Sequence, residues 1–403
     1  MNPLIGLAQT NQPAATPAAP KRKIKIGQIG LGKRGSWIAD LFAKHGGYEY
    51  HAVADYFPAV SATEGQKLGV PAERCFSGLS GYKKVIDSGI EAIVVLDVPY
   101  FYPEQVKDAV AAGLHVYMAK PVAVDVPGAL SIGESGKQAT QKQRVFLVDY
   151  QMPTDPLNIA VMKCIADGGI GALQTVFSNG AVGGGVFKDA PLTKNIESRL
   201  QNLVWVNDDE LGCGYIGNFD IHVVEAVLRA VRRMPVAAYG WGAQFRAAPH
   251  GDALDSTGLM FEFDNGMVWN HQSIHGTADD WFDSKCQLAA EFQGSEASAR
   301  VSYFGKSYVR GGSQKISGKV DNLYEAGAMR NIATFYDAVA KGDTSNATIQ
   351  HAVDSVLTCI LGRETAARRT RLTLAEVIKE NRKLKVDLTG LKTHASYSGL
   401  KAG

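Results

Sequence analysis

Residues 24–35 read IKIGQIGLGKRG, a short apolar strand that runs directly into Gly30-x-Gly32-x-x-Gly35. An acidic residue, Asp55, follows 20 positions later at the end of a second strand-like run, YEYHAVAD. Each part has a physical reason: Gly30 permits a tight turn, Gly32 lets the backbone approach a pyrophosphate, and Gly35 lets a helix pack closely on the strand. A helix opening at this point aims unpaired N–H groups at phosphate. A carboxylate at position 55 accepts hydrogen bonds from an adenosine ribose and repels a 2′-phosphate, so the pattern predicts NAD rather than NADP. Lys33 and Arg34, inside the turn, join the expected cofactor contacts and are the two cations that keep NADP open.

From Lys23 onward short β-rich runs alternate with helical stretches, the pattern of a parallel sheet wrapped by helices. IKIGQIG, YEYHAVAD, a piece near Arg74 to Phe76, AIVVLDV, LHVYMAK and RVFLVDY read as six successive strands with amphipathic helices between them. They predict a doubly wound α/β dinucleotide-binding (Rossmann) domain over residues 21–150. The character then changes. After a helix at DPLNIAVMKCIADGG and the glycine-rich LQTVFSNGAVGGGVFK come longer alternating runs, PVAAYGWGAQFRA, STGLMFEFDNG, MVWNHQSIHG, KCQLAAEFQG and EASARVSYFG, with a hairpin turn at Asp264-Asn265-Gly266-Met267. Residues 151–403 therefore read as an α+β substrate-binding domain. It has a large, mostly antiparallel open sheet, one face on helices and the other either the surface of a homo-oligomer or covered within the monomer, and closing helices near 326–341, 346–369 and 374–382.

Composition narrows the function classes. A net charge of +2 over 403 residues offers no electrostatic footprint for nucleic acid. The basic run RETAARRTR at 363–371 reads as a solvated helix face. Five scattered cysteines without a C-x-x-C pair exclude a disulfide framework and a zinc ribbon. No apolar run of about 18 residues or more occurs, so no membrane-spanning helix is expected. Residues 1–20, MNPLIGLAQT followed by a Pro/Ala linker, read either as the tail of an export signal cleaved near Ala8, implying a periplasmic protein, or as a disordered terminus of a cytoplasmic one.

Two constellations carry chemistry. The fifth strand ends in Met118-Ala119-Lys120-Pro121, and strand ends on the carboxyl side of such a sheet face the ligand crevice. Pro121 fixes the turn, so the Lys120 ammonium is held where it takes a proton from a hydroxyl or hydrogen-bonds its oxygen; the competing reading is an ordinary surface lysine. The second is GCGYIGNFDIH, residues 212–222, running into the apolar helix VVEAVLRAV. Asn218 and His222 share a helix face there, with Asp220 between them, and His is the side chain suited to acid–base work near neutral pH. The competing reading is a capping Asn and Asp with a core-satisfied His. His271 and His275 are four apart on a predicted strand, share a face only loosely, and lack an evident third ligand, so no metal site is expected. Tyr100, Phe101 and Tyr102 follow strand four and either stack on a ligand or pack.

The chain resembles the glucose-fructose oxidoreductase and inositol dehydrogenase (Gfo/Idh/MocA) family over residues 23 to about 370. The likeness rests on the glycine fingerprint, Asp55, the Val98-Pro99 loop, AGLHVYMAKP and GCGYIGNFDIH. The family's Glu-Lys-Pro motif appears as Ala119-Lys120-Pro121 and its Asp-x-x-x-His motif as Asn218 to His222, so both departures remove a carboxylate. The resemblance implies an NAD-dependent oxidoreductase with tightly bound cofactor, Val98 and Pro99 beside it, Lys120 contacting substrate and nicotinamide ribose, and His222 as general base or acid. Asp220 is the carboxylate placed to compensate for the loss at 218. Gln151 falls where relatives place a polar substrate residue, and Arg199, Trp205 and Tyr215 line the sugar side by position. The segment AKPVAVDVPGALSIGESGKQATQKQRVFLVDYQMPTDP looks like a bacterial subgroup that oxidises a glycoside ring hydroxyl, often at carbon three. Three functions follow from the likeness. They are a sugar or glycoside dehydrogenase, a redox-neutral NAD-dependent glycosidase with Tyr215 as candidate base, and a non-catalytic NAD-binding regulator.

Overall fold

The computed structural model describes residues 22–183, 192–246, 251–277, 286–345 and 348–394. The expectations for residues 1–20, for the end of the glycine-rich segment and for the polar tail fall outside these residues.

Six strands, β1 (Ile24–Ile29), β2 (Tyr48–Asp55), β3 (Cys75–Ser77), β4 (Ala92–Val95), β5 (His115–Ala119) and β6 (Phe146–Asp149), form a parallel sheet in the order β3-β2-β1-β4-β5-β6. The crossover helices are α1 (Lys33–His45), α2 (Pro58–Lys67), α3 (Gly81–Ile86), α4 (Tyr102–Ala111) and α5 (Val126–Gln141). The order reverses between β1 and β4, which opens a crevice beyond their carboxyl ends. All four residues of β4 are buried, as expected for a strand covered on both faces.

After α6 (Pro156–Ala166) the chain enters a nine-stranded sheet. Its strands are β7 (Leu173–Gly183), β8 (Ala237–Ala243), β9 (Ser256–Glu262), β10 (Val268–Thr277), β11 (Cys286–Gly294), β12 (Ala297–Ser302), β13 (Gly305–Gly311), β14 (Ile316–Val320) and β15 (Leu372–Thr373). Their order is β14-β13-β12-β11-β7-β10-β9-β8-β15, antiparallel throughout except for β7 beside β10. β13 and β14, interrupted by Gly, Ser and Lys, and the two-residue β15 were not legible in the sequence. Alternation separates the two faces. In β8 and β9, Ala238, Leu259 and Phe261 point inward, whereas Tyr239, Trp241 and Met260 are exposed on the other face together with Phe177 of β7.

The helices α7 (Asp209–Gly212), α8 (Ile221–Val231), α9 (Leu323–Lys341), α10 (Thr348–Arg368) and α11 (Leu374–Glu380) complete the chain. Two of them cross the division drawn at residue 150. Ala328, Ile332, Phe335 and Val339 of α9 join Ile24, Ile38, Phe42 and Tyr117 in one buried cluster, so α9 covers part of the parallel sheet. Ile349 and Val353 of α10 pack at the bare backbones of Gly136 and Gly133 on α5. Phe335 is fully buried, and its truncation to Ala costs about 3–5 kcal/mol. RETAARRTR is a solvated face only in its second half, residues 367–371. Arg363 and Glu364 are buried on the inner side of α10, where Arg363 donates to the Val124 carbonyl at 2.9 Å and Glu364 accepts from Arg368 and Arg382.

Candidate functional site

One cavity of about 480 Å3 runs from the glycine turn to the second sheet, in the size range of cofactor and ligand sites. Gly30, Gly32 and Gly35 line one end with Asp55 and Asp97; Lys120, Asn218 and His222 line the other.

At the first end the backbone is built for close approach. Gly30 has φ +80°, and a methyl there would collide with the Leu96 carbonyl; one on Gly35 would collide with the Gly30 carbonyl. Gly32 precedes the first turn of α1, and the space its Cβ would enter is open. That helix therefore starts without a side-chain cap or an acidic residue in its first turn, so its leading N–H groups remain for an anion. Gln28, missed in the sequence, locks the turn. Its amide donates to the carbonyls of Gly30 at 3.1 Å and Gly35 at 2.8 Å, and it accepts from the Tyr50 hydroxyl at 2.9 Å. The available signal was a polar residue inside an otherwise apolar strand. Asp55 accepts from the backbone N–H groups of Leu31 (2.8 Å) and Phe57 (2.9 Å), and burial pushes its carboxyl up to about 6. Val98 and Lys33 line the cavity, whereas Pro99 is buried beside it at the start of a single 3-10 turn. Tyr102 reaches the cavity; Tyr100 and Phe101 pack against each other.

Arg34 lines the cavity but is held elsewhere than on a ribose. Its guanidinium pairs with buried Asp149 at 2.8 Å, donates to the Tyr324 hydroxyl at 2.8 Å and lies over the rings of Trp37 and Tyr324. Asp149 also accepts from Gln151 at 2.9 Å and Asn331 at 2.8 Å. Gln151, expected at the substrate, is fully buried behind this pair and accepts from the Tyr303 hydroxyl at 3.2 Å. Neither Asp149 nor Asn331 carried a readable sequence signal, because they meet across 182 residues of chain.

At the second end β5 delivers Lys120, whose ammonium donates to the backbone carbonyl of Asn218 and lies 6.0 Å from the Phe219 ring centre. Burial, reinforced by the Arg34 charge and opposed by Asp149, lowers its pKa to about 7. His222, in the first turn of α8, is buried among the Tyr303 and Tyr150 rings, and its Nδ1 makes no hydrogen bond. Burial and the Lys120 and Arg34 charges hold it well below the ordinary histidine range, so it is neutral at pH 7. Near neutrality the better proton acceptor is therefore Lys120, while neutral His222 lines the cavity beside it.

The remaining predicted residues divide. Trp205 lines the cavity. Arg199, Tyr215 and Asp220 are not among the described lining residues. Arg199 forms a bidentate pair with Asp208 at 2.8 Å. The Tyr215 hydroxyl donates to Asn207 at 2.6 Å, and burial pushes its pKa up to about 12, which removes it as a candidate base. Asp220 does not compensate for the missing acid at 218. It is fully buried and turned to β10, where His271 and His275 share one face, as residues four apart on a strand do, and both approach it at 3.2 Å. Among the described residues no cluster could hold a metal ion, and no helix is long and apolar enough to cross a membrane.

No family model matches the chain. Inositol 2-dehydrogenase of Burkholderia ambifaria is 30% identical over 187 residues, 45% of this chain and 54% of that protein. That of Klebsiella pneumoniae is 29% identical over 133 residues, 32% and 39% respectively. The chain thus spans about half the length, or less, of these curated relatives. Among solved structures, an inositol dehydrogenase homolog from Azotobacter vinelandii complexed with NAD+ has a TM-score of 0.70 at 19% identity, covering 88% of this chain and 98% of that one. Levoglucosan dehydrogenase complexed with NADH and levoglucosan has 0.69 at 16%, covering 88% and 100%. Aldose-aldose oxidoreductase from Caulobacter crescentus, complexed with glycerol, has 0.68 at 17%, covering 87% and 100%. The chain is thus similar in sequence to part of the inositol 2-dehydrogenases and shares the two-domain fold of these solved dehydrogenases.

Proposed function

We propose that the chain is an NAD-dependent dehydrogenase of a sugar or polyol ring hydroxyl, and more finely that it oxidises carbon three of a glycoside to give a 3-keto-glycoside. The observation that carries the reading is the single cavity joining a phosphate-binding turn to Lys120 and His222. NAD fits the first end: the uncapped start of α1 and the space at Gly32 would take the pyrophosphate, and Asp55 would take the ribose. When bound, the nicotinamide accepts the hydride from the carbon that bears the hydroxyl. The chain's own part is the proton. Neutral Lys120 takes it from the hydroxyl and, once charged, is steadied by the Asn218 carbonyl; His222, which lines the cavity, contacts the sugar and orients it. The curated relatives and the sugar complexes named above support the substrate class, and the glycoside subclass rests on the segment from Ala119 to Pro156.

The test is to incubate the purified protein with NAD+ and a panel of inositols, free aldoses and alkyl and aryl glycosides, following nicotinamide absorbance and released aglycone together. Absorbance gain with a keto-glycoside product is the expected result. Free sugar without net reduction would indicate the redox-neutral glycosidase instead, and cofactor binding without turnover on any member would leave a regulator. The exposed face bearing Phe177, Tyr239, Trp241 and Met260 is proposed as the surface of a homo-oligomer. Sedimentation velocity of wild type and Trp241→Glu tests it; a monomeric wild type would overturn it.

A further inference from the structure

Asp220, His271 and His275 form a buried polar group that the proposed chemistry does not use. Asp220 rests against β7 where Gly180 supplies no side chain, since a methyl there would collide with its carboxylate. His271 Nε2 faces one oxygen and His275 Nε2 the other, each at 3.2 Å, and His275 Nε2 is also 3.0 Å from the Ser273 hydroxyl. On the far side Ser178 meets His271 Nδ1 at 2.8 Å, and the Trp269 indole donates to the Ser178 oxygen at 2.6 Å. The Asp220 carboxylate can only accept, so His271 presents a proton on Nε2 toward it, and the Ser178 hydroxyl, which accepts from the indole, is placed to donate its own hydrogen to Nδ1. Tyr215 stacks on His275 with ring centres 4.6 Å apart and planes within 10°.

The group grips one turn. Residues Ile216–Asp220 form a wide π-type turn, an irregular conformation that recurs at functional sites, leading straight into α8. Asn218, whose carbonyl holds Lys120, lies two residues before Asp220, and His222 lies two residues after it. Phe219, whose ring faces Lys120, also contacts the His275 ring at 5.5 Å. A single carboxylate fixed at both oxygens therefore sets the placement of a carbonyl and an imidazole on the opposite side of the turn. We propose that Asp220, clamped by His271 and His275, is a positioning residue that fixes this turn so that the Asn218 carbonyl holds the Lys120 ammonium and His222 faces the cavity. The inference rests on the reading of Lys120 and His222 as the proton-handling pair, and it gives the motif NHQSIHG a purpose.

The decisive readout does not need a substrate. Lys120 is acetylated competitively with acetic anhydride in the full-length protein and scored by peptide mass spectrometry against surface Lys163 and Lys341 as internal references. Asp220→Asn and His271→Asn raise the relative labelling of Lys120 about fivefold, the factor one weakened hydrogen bond makes, while NAD+ affinity stays within about twofold. His271→Gln, whose amide nitrogen takes the place of Nε2, restores the wild-type labelling rate. His271→Asn keeps only the reach toward Ser178 and does not. This contrast separates positioning from loss of packing and keeps the proposal testable should Asp220→Asn fail to fold. Nitrogen NMR of the wild type shows His271 protonated on Nε2. On any substrate found in the panel, kcat falls about tenfold or more in His271→Asn with KM unchanged. Unchanged Lys120 labelling in His271→Asn, or equal impairment of His271→Gln and His271→Asn, overturns the proposal. A silent panel with the labelling contrast intact sinks the dehydrogenase reading and leaves the positioning role standing.

Discussion

The two ends of the cavity are made in different ways. At the fingerprint end the glycine turn, Gln28 and Asp55 come from a stretch of 28 residues, Gln28 to Asp55, and the backbone is fixed by Gln28 and by Gly30 and Gly35, where any side chain would collide. At the Lys120 end a strand of the first sheet, a turn and helix of the second part and, through Asp149 and Asn331, a helix near the end of the chain must meet. The acids are divided as well. Asp55 and Asp97 line the first end, whereas the carboxylate that raises the Lys120 pKa is Asp149, already paired with Arg34. A local site should fail by losing its ligand. An assembled one should fail by losing rate.

The largest effect should come from Gly30→Val. Its positive φ and contact with the Leu96 carbonyl leave no room for a branched side chain, so calorimetry should find no NAD+ binding. Retained affinity would show that the turn is not the cofactor seat. Lys120→Met and His222→Ala should do the opposite, lowering kcat about 10²–10⁴-fold with NAD+ affinity unchanged. Unchanged turnover in both would remove them from the site. Lys120→Met carries a second signature. The native pKa near 7 lies below the ordinary 10.5, so the unfolded state binds more protons between those values and wild-type stability rises with pH across that window. The mutant should therefore be the more stable protein by thermal melting, with the advantage greatest below pH 7 and fading toward pH 10.

Asp149→Asn should fall between these. It leaves the Arg34 guanidinium without its buried partner, at about 3 kcal/mol in chemical denaturation. It also removes the carboxylate that holds the Lys120 pKa up against burial, so the acid limb of kcat against pH should move to lower pH. A limb that stays in place would separate Asp149 from the proton step.

The same contrast explains what could be read from sequence. The parallel sheet, its crossover helices and the glycine turn were legible because each depends on spacing within a few tens of residues. The outward and inward positions of β8 and β9 were legible as alternation. Asp220 was misplaced because sequence gives its helix position but not which neighbour it meets, and that neighbour is a pair of histidines on β10 more than fifty positions away. Arg363 and Glu364 were misread because a buried ion pair and a solvated charged face have the same composition. Arg34 was read as a cofactor cation from its place in the turn; its engagement by Asp149 and Tyr324 depends on contacts 115 and 290 residues distant.

The smallest expected effect, at Asp55, sharpens the comparison most finely. Both of its oxygens already accept backbone N–H groups, so a ribose would use the remaining lone pairs, and Asp55→Asn should weaken NAD+ by only about 1–2 kcal/mol while improving NADP+ relative to NAD+. Burial raises the wild-type carboxyl to about 6. As pH falls through that value the carboxylate gains a proton and loses acceptor capacity, so NAD+ affinity in the wild type should decline below pH 6, and in Asp55→Asn this decline should vanish. Titration at this end then moves affinity, whereas titration of Lys120 near pH 7 moves turnover, and isothermal calorimetry alongside steady-state rates over pH 5–9 separates the two. An NAD+ affinity that is flat with pH in the wild type would mean that the Asp55 carboxylate does not touch the cofactor, and the division of labour between the two ends would have to be redrawn.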